Sequence, residues 1–349
     1  MSTNRRPMHP ADKAVLRLAF GFGLAVLVAY GLALQAPFLV CILTFAVLCK
    51  PGPPIPLLKG MVIVAVIAAL TAAGMLMVPV LENYALAGVA ITAALLYMVF
   101  LYAVRSSGMM PMILVLAIAI IPVAGVFEQA LASALILSFS VGVFVGIFVG
   151  SISHAIFPNP PSPAASAAVP AGPTIQAARW MAMRATLVML PVFVLALSNP
   201  PFYIPAIMKT SALGQQASSV NAQSAGRELV GSTLMGAWLA ILVWFGLKLW
   251  PNLWMLMLWL VAVVFWVGVR LFRIKATPYP PSYWLNAVVN MLIFLGPAME
   301  DSANGKDVFK ASVVRVSLFI AISLYAWAVV WLLERLHRPR SSALLPTHL

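Results

Sequence analysis

The chain has 349 residues, of which 63% are hydrophobic and 8% are charged, and its mean hydropathy is +1.03. A soluble domain carries about 25% charged residues, so this composition excludes a soluble globular fold and predicts an integral membrane protein. The formal net charge of +13 suggests nucleic acid as a partner, but the placement of the charges along the chain argues against one.

Apolar runs of about 20 residues, the length that crosses a ~30 Å hydrocarbon core, recur along the whole chain. The first run is too long for a signal peptide and is interpreted as a retained membrane span. The sequence therefore predicts an all-α integral membrane protein with about twelve transmembrane helices. The predicted spans are 14–34, 36–49, 58–80, 84–104, 109–126 and 131–154 in the first half, and 180–198, 200–213, 228–249, 252–270, 283–299 and 310–333 in the second.

A segment rich in Pro, Ala and Ser separates the two halves, and such a composition disfavours a packed helix. The predicted organisation is a six-helix membrane unit over 1–156, a linker over 157–178, a second six-helix unit over 179–340 and a tail over 341–349. The other loops are short, so the sequence leaves no room for a soluble catalytic domain.

Basic and acidic residues concentrate at opposite ends of the predicted spans. With the N-terminus placed inside, 17 of the 21 Lys and Arg residues fall on the inner side. This asymmetry follows the positive-inside rule and predicts that both termini and the linker are cytoplasmic. The positive charge thus orients the protein in the membrane and does not indicate nucleic acid. The acidic residues on the outer side are Glu82, Glu128, Glu300, Asp301 and Asp307.

The two halves carry similar residues at corresponding places. The segment Met98–Arg105 reads again as Val263–Arg270, and Pro37-Phe38 corresponds to Pro201-Phe202, as Pro122 does to Pro297. Six spans in each half is an even number, so both halves enter the membrane in the same direction. The sequence therefore predicts two parallel six-helix repeats related by a pseudo-twofold axis along the membrane normal, an arrangement that transporters commonly use.

The second span of each half is unusual for its length or its proline content. Residues 36–49 are few for a straight span, and 200–213 contains Pro205 and Lys209. Short or Pro-interrupted segments at corresponding places of two repeats indicate a binding site, because broken helices leave polar backbone groups facing a cavity. The alternative is a short helix buried among longer neighbours, with Lys209 extending to the cytoplasmic interface.

The sixth span carries small residues four apart, followed by His154. Residues four apart share one helix face, so this stripe lets another helix backbone approach closely. Helix packing is the favoured interpretation, and a smooth face that lines a path near the pseudo-axis is the alternative. The helix-packing residues predicted from the stripe are Ser138, Gly142, Gly146 and Gly150.

Polar residues within apolar spans are candidate substrate contacts, because a charged group there costs about 2.5–3.5 kcal/mol on insertion scales. Asn286 and Asn290 are four apart on the eleventh span and share a face; an interhelical hydrogen-bond clamp is the alternative for both. Arg315 lies near the start of the twelfth span, where an extension towards Glu300, Asp301 or Asp307 is the alternative.

Arg105 and Arg270 end the fourth span of their halves and are candidates for a cationic pair at the cytoplasmic mouth of an anion path. The rigid fork of Arg binds a carboxylate bidentately, whereas anchoring at the inner interface needs only a positive charge. With Lys209, Asn286, Asn290 and Arg315 they form the predicted substrate path, and the excess of cationic groups favours an anion. The sequence predicts no catalytic residue, metal ligand or cofactor.

Several short motifs resemble an uncharacterised bacterial inner-membrane family related to the fusaric acid resistance and aromatic acid exporter group. They are Arg17-Leu-Ala with Pro37-Phe38, His154-Ala-Ile-Phe-Pro158, Gly226-Arg-Glu-Leu-Val-Gly231 and Leu285-Asn-Ala-Val-Val-Asn290 with Gly296-Pro297. The resemblance implies efflux of small organic acids or related toxic compounds across the inner membrane. It also implies a periplasmic adaptor protein of the membrane-fusion type as a partner.

Two classes of function remain open from the sequence. A transporter predicts a continuous polar path along the pseudo-axis, lined by equivalent positions of both halves. A membrane scaffold or assembly component that transports nothing predicts a tightly packed axis. A membrane enzyme is not expected, because the sequence shows no metal-ligand cluster, nucleophile elbow or carboxylate pair.

Overall fold

The computed structural model describes residues 9–34, 36–49, 52–106, 110–158, 173–219, 222–305 and 307–337. Over these residues the chain is all helical, with twelve helical segments and no strand. The first six are α1 (Pro10–Gly31), α2 (Pro37–Leu48), α3 (Leu57–Asn83, with a 3-10 turn over Gly74–Met77), α4 (Ala85–Arg105), α5 (Met110–Phe127) and α6 (Gln129–Ile156). The others are α7 (Ile175–Ser198), α8 (Pro200–Ser219), α9 (Ala222–Leu249), α10 (Leu253–Leu271), α11 (Pro281–Ala303) and α12 (Val308–His337).

Nine of these helices are long and apolar enough to cross a membrane, which identifies a multi-pass membrane protein. The helix α2 has only 12 residues and spans about 18 Å at 1.5 Å per residue, short of a ~30 Å core. The apolar part of α5 is also short, and α8 contains Pro205.

Three helix boundaries differ from the expectation by five residues or more, and one of them is the start of α9, at Ala222 rather than at 228. The helix α7 begins at Ile175, inside the expected linker 157–178, because the Thr174 hydroxyl accepts a hydrogen bond from the Ala177 N–H at 3.3 Å and caps the helix. The helix α8 continues to Ser219 rather than ending at 213, since no proline interrupts its last two turns. The rest of the expected linker, residues 159–172, lies outside the described residues.

Several of the largest helix contacts join the two halves. The helix α1 packs against α10, α4 against α7, α2 against α11 and α5 against α8. Within the first half, α6 contacts α1, α2 and α3; within the second, α12 contacts α7, α8 and α9. Each of these contacts has a counterpart between the helices six places away in the chain. The pair α1–α10 corresponds to α7–α4, α2–α11 corresponds to α8–α5, and the neighbours of α6 correspond to those of α12.

The helix α11 is the most buried of the nine long apolar helices. In its most apolar window 78% of the residues are buried, against 28% for α12. It packs on α2, α8, α9, α10 and α12, so polar side chains on α11 must find partners inside the protein rather than in water.

Candidate functional site

The side-chain amine of Lys209 is buried near the middle of α8. The residue is 1% exposed, and its Nζ donates hydrogen bonds to Thr233 Oγ1 at 2.6 Å and to Asn290 Oδ1 at 2.8 Å. From the sequence, Lys209 could line a binding site or extend to the cytoplasmic interface. Its burial excludes the extension.

Further hydrogen bonds fix these partners in place. The Thr233 hydroxyl lies 2.9 Å from the Ser323 hydroxyl, and the Asn290 amide donates to the backbone oxygen of Ser232 at 3.2 Å. We call Lys209, Thr233, Asn290 and Ser323 the Lys209 centre. Its members come from α8, α9, α11 and α12, so the polar centre lies within the second half rather than between the halves.

The hydrogen-bond partners of Lys209 Nζ are neutral oxygens. Among the described residues, no carboxylate oxygen lies within 4.0 Å of its Nζ. An ammonium held in an apolar interior by two neutral acceptors remains poorly compensated, because such groups replace only part of its hydration. A buried cation of this kind attracts an anionic group that reaches it.

The depth of the centre follows from its position along the helices. Lys209 and Asn290 are each the tenth residue of their helices, in α8 and α11. Thr233 lies near the middle of α9 and Ser323 near the middle of α12. The four side chains therefore meet near the midplane of the bundle, where transporters commonly bind their substrates.

A cavity of about 780 Å³ lies between α9, α11 and α12, towards the end of the bundle where α11 ends and α12 begins. We call it the Arg315 cavity, because Arg315 and Lys248 line it among mostly apolar side chains. It is of the size that holds small-molecule ligands, about 300–1,000 Å³.

Two aromatic rings separate this cavity from the Lys209 centre. The ring of Phe294 lines the cavity and lies 4.7 Å, centroid to centroid, from the ring of fully buried Phe319. Asn290 and Ser323 lie one helical turn further in along α11 and α12. The ring pair therefore forms a hydrophobic barrier about one turn thick.

Arg315 forms an ion pair with Asp301, one of the three acidic residues expected near it. Its Nη2 lies 2.6 Å from Asp301 Oδ2, and both side chains are largely buried. The Arg315 guanidinium is thus held against the wall of the cavity by a strong, partly desolvated pair.

The structure does not bring Arg105 and Arg270 together. Arg105 is exposed at the end of α4, which packs against α7, whereas α10 packs against α1. The Arg270 guanidinium stacks on Trp266 at 3.6 Å and lies 5.3 Å from the ring centroid of Trp284. The two arginines therefore have different surroundings despite their matching places in the sequence.

The small-residue stripe of α6 lies against α2. A Cβ at Gly146 would lie 3.0 Å from Val47 Cγ2, and one at Gly142 would lie 2.9 Å from Leu43 Cδ1. These distances require close approach of the two helices. At Gly150 the nearest atom would be 3.6 Å away, and the Ser138 hydroxyl donates to the backbone of its own helix.

Asn286 is buried one turn before Asn290 on the same face of α11. The structure thus places Lys209 and Asn290 in one hydrogen-bonded centre and Asn286 beside it, while Arg315 lies at the cavity beyond the ring pair. Thr233 and Ser323 were not expected from the sequence, because hydroxyls that bond to their own helix backbone resemble ordinary apolar-helix residues.

No group of three or more His, Cys, Asp or Glu side chains that could hold a metal ion occurs in the described part of the chain. Cys41 and Cys49 are buried free thiols. The groups of the Lys209 centre are an amine, two hydroxyls and an amide, which interact by hydrogen bonding.

Comparison with known proteins gives one match. Residues 14–152 match a family described as "Protein of unknown function (DUF2955)". The match covers α1 to α5 and most of α6, so it concerns the first half of the chain. No curated protein and no solved structure matches, and none of the comparisons links the chain to the fusaric acid resistance group.

Proposed function

We propose that this protein is a transporter of small organic anions and that the Lys209 ammonium is the group that binds the anion. The observation that carries the proposal is the burial of the Lys209 amine near the midplane, where its hydrogen-bond partners among the described residues are neutral. Ionisable groups in membrane helices are costly and most often mark substrate or ion pathways. A carboxylate that reaches Lys209 would supply the missing negative charge.

The anion passes between the Lys209 centre and the Arg315 cavity when the Phe294–Phe319 ring pair moves apart. Hydrophobic constrictions of this kind gate membrane pathways by excluding water. In the closed arrangement the rings protect the buried charge, and in the open arrangement the cavity becomes continuous with the centre. On the cytoplasmic side, Arg105 and Arg270 remain candidates for positive residues at the mouth of the path.

The twelve helices form two parallel six-helix repeats in this proposal, supported by the matching neighbour relations of helices six places apart. When Phe38 is aligned with Phe202, and Pro122 with Pro297, Lys209 corresponds to Phe45 and Asn290 to Val115. Both of these counterparts are apolar and fully buried. The substrate site therefore belongs to the second repeat, while the first repeat supports it.

Both termini and the linker lie in the cytoplasm of a bacterial inner membrane under this proposal, since most basic residues fall on that side. A cysteine introduced at Ser166 in a Cys41→Ala, Cys49→Ala background tests this topology. We expect a membrane-impermeant thiol reagent to label it in inside-out vesicles but not in intact spheroplasts. The reverse pattern would contradict the orientation of all twelve helices.

The resemblance to aromatic acid exporters supports efflux of aromatic acids as the physiological direction, together with a periplasmic adaptor of the membrane-fusion type. The apolar lining of the cavity is compatible with an aromatic ring, and its basic residues are compatible with a carboxylate. The proposed substrate class is therefore aromatic carboxylic acids, and the proposed partner is a periplasmic adaptor.

Transport can be tested with the purified full-length chain in vesicles. Radiolabelled benzoate, salicylate and short aliphatic acids are offered on one side, and flux is compared with that of protein-free vesicles and of vesicles that contain neutral alcohols of similar size. We expect at least one acid to show saturable flux above that of protein-free vesicles. The alcohols should cross at the same rate with and without the protein. Flux equal to that of protein-free vesicles for every acid would favour a membrane scaffold that transports nothing.

A further inference from the structure

The Arg315 cavity opens sideways, towards the hydrocarbon of the membrane, between α9 and α12. The apolar side chains of Ile241 and Phe245 on α9 line it and are more than half exposed, and Val313 on the facing side of α12 is 49% exposed. In a membrane such side chains contact acyl chains rather than water. A molecule in the cavity is therefore continuous with the surrounding lipid.

Basic groups stand where the headgroup of a lipid in this cavity would lie. Lys248 is exposed at the end of α9 and lines the cavity. Arg315 lies seven residues after the start of α12, about 10 Å along the helix, within reach of the interface for a long side chain. Its Nη2 is paired with Asp301, and its side chain is 18% exposed.

The cavity wall combines these donors with an apolar surface. Trp244, Ala240 and Leu295 form part of the apolar lining, and the Ser302 hydroxyl lies on the rim. The charged residues of the lining are Lys248, Arg315 and Asp307, and Asp307 forms an ion pair with Lys310 at 3.8 Å. Because Lys310 offsets Asp307, the slot suits an acyl chain that ends in a phosphate. Basic pockets between transmembrane helices are known to take anionic lipid headgroups.

We infer that the Arg315 cavity is a binding site for an anionic phospholipid, which places one acyl chain between α9 and α12 and its phosphate at Lys248 and Arg315. Lipid surrounds the opening at a far higher concentration than any solute, so mass action favours this occupant. A bound lipid would also cover the outer face of the Phe294–Phe319 ring pair. Binding of the lipid does not require transport, but the lipid competes with the anion, because the proposed function routes the anion through the same cavity.

Trp244 provides a probe inside the cavity. The full-length protein is placed in phosphatidylcholine vesicles that contain increasing fractions of phosphatidylglycerol with brominated acyl chains, which quench tryptophan fluorescence on contact. The difference between wild type and Trp244→Phe isolates the signal of this residue. We expect half-maximal quenching at an about fivefold lower fraction of brominated phosphatidylglycerol than of brominated phosphatidylcholine. This factor corresponds to the attraction of one basic residue near the interface for an anionic headgroup.

Two adjacent valines supply a matched control. Val313 lines the cavity and Val314 does not, although they are 49% and 50% exposed. Val313→Phe should fill part of the slot and weaken quenching of Trp244, whereas Val314→Phe should leave it unchanged. Lys248→Gln should reduce the preference for phosphatidylglycerol. Equal quenching by the two lipids, or equal effects of the two valine variants, would overturn the proposal and leave an ordinary lipid-facing surface.

Discussion

Replacing Lys209 by Met is expected to lower organic-anion flux in vesicles at least about tenfold, which corresponds to a loss of roughly 1.4 kcal/mol of binding. Met retains the length and volume of the side chain but removes the buried charge. Folding should be preserved, because Thr233 and Asn290 keep their hydrogen bonds to the backbone oxygens of Leu229 and Ser232. Replacing a buried charge by an apolar group is often neutral or stabilising.

The control for this variant is Lys59→Met, which removes the same charge from an exposed position on α3. Its flux should equal that of the wild type at the same protein level. Unchanged flux in Lys209→Met would show that the buried ammonium is a structural hydrogen-bond donor and that the anion, if one is transported, follows another route.

Gly236→Ala is expected to destabilise the protein by about 1–3 kcal/mol, as overpacking of a tight core does. A Cβ at this position of α9 would lie 2.5 Å from Asn290 Cβ and 2.8 Å from the backbone oxygen of Ala287. Relief would require α9 and α11 to separate, which would also disturb the Asn290 partner of Lys209. The measurement is the melting temperature and folded yield of the purified protein in detergent.

Gly150→Ala supplies the matched comparison, because its Cβ would meet its nearest neighbour at 3.6 Å, an ordinary contact. At this position Ala should not overpack the core, and its higher helix propensity is worth about 0.5–1 kcal/mol. The melting temperature of Gly150→Ala should therefore equal or exceed that of the wild type. Similar melting temperatures for the two variants would mean that α9 and α11 are not as close as their glycine contact indicates.

The helical order could be predicted from the sequence, because apolar runs of span length are a strong and local signal. All twelve expected segments occur as helices, including the short α2 before the Pro-rich turn. The start of α7 was misplaced because it depends on a single cap at Thr174. The end of α8 and the start of α9 were misplaced because the helical residues there are polar and hydropathy does not detect them. The contacts between halves, such as α1 with α10, are long-range and left no mark in the pattern.

The site could be predicted only in part. Lys209 and Asn290 attract notice because polar groups in a membrane span are costly, but nothing in the sequence shows that they meet. Thr233 and Ser323 are hidden among other Ser and Thr residues that bond to their own helices. Arg105 and Arg270 occupy corresponding places in the two halves, yet among the described residues only Arg270 of the two stacks on an aromatic ring.

The central claim is that an anion reaches the Lys209 centre. The most direct test is the reactivity of a cysteine placed in that centre towards a thiol reagent. Ser323→Cys changes one atom of a fully buried residue of the centre, and Ser153→Cys does the same at an equally buried position on α6. Both variants are made in the Cys41→Ala, Cys49→Ala background and exposed to a small, negatively charged thiol reagent. The account predicts that Cys at 323 reacts, that salicylate slows the reaction, and that Cys at 153 stays unmodified. A Cys at 323 that is as inert as the one at 153 would contradict it.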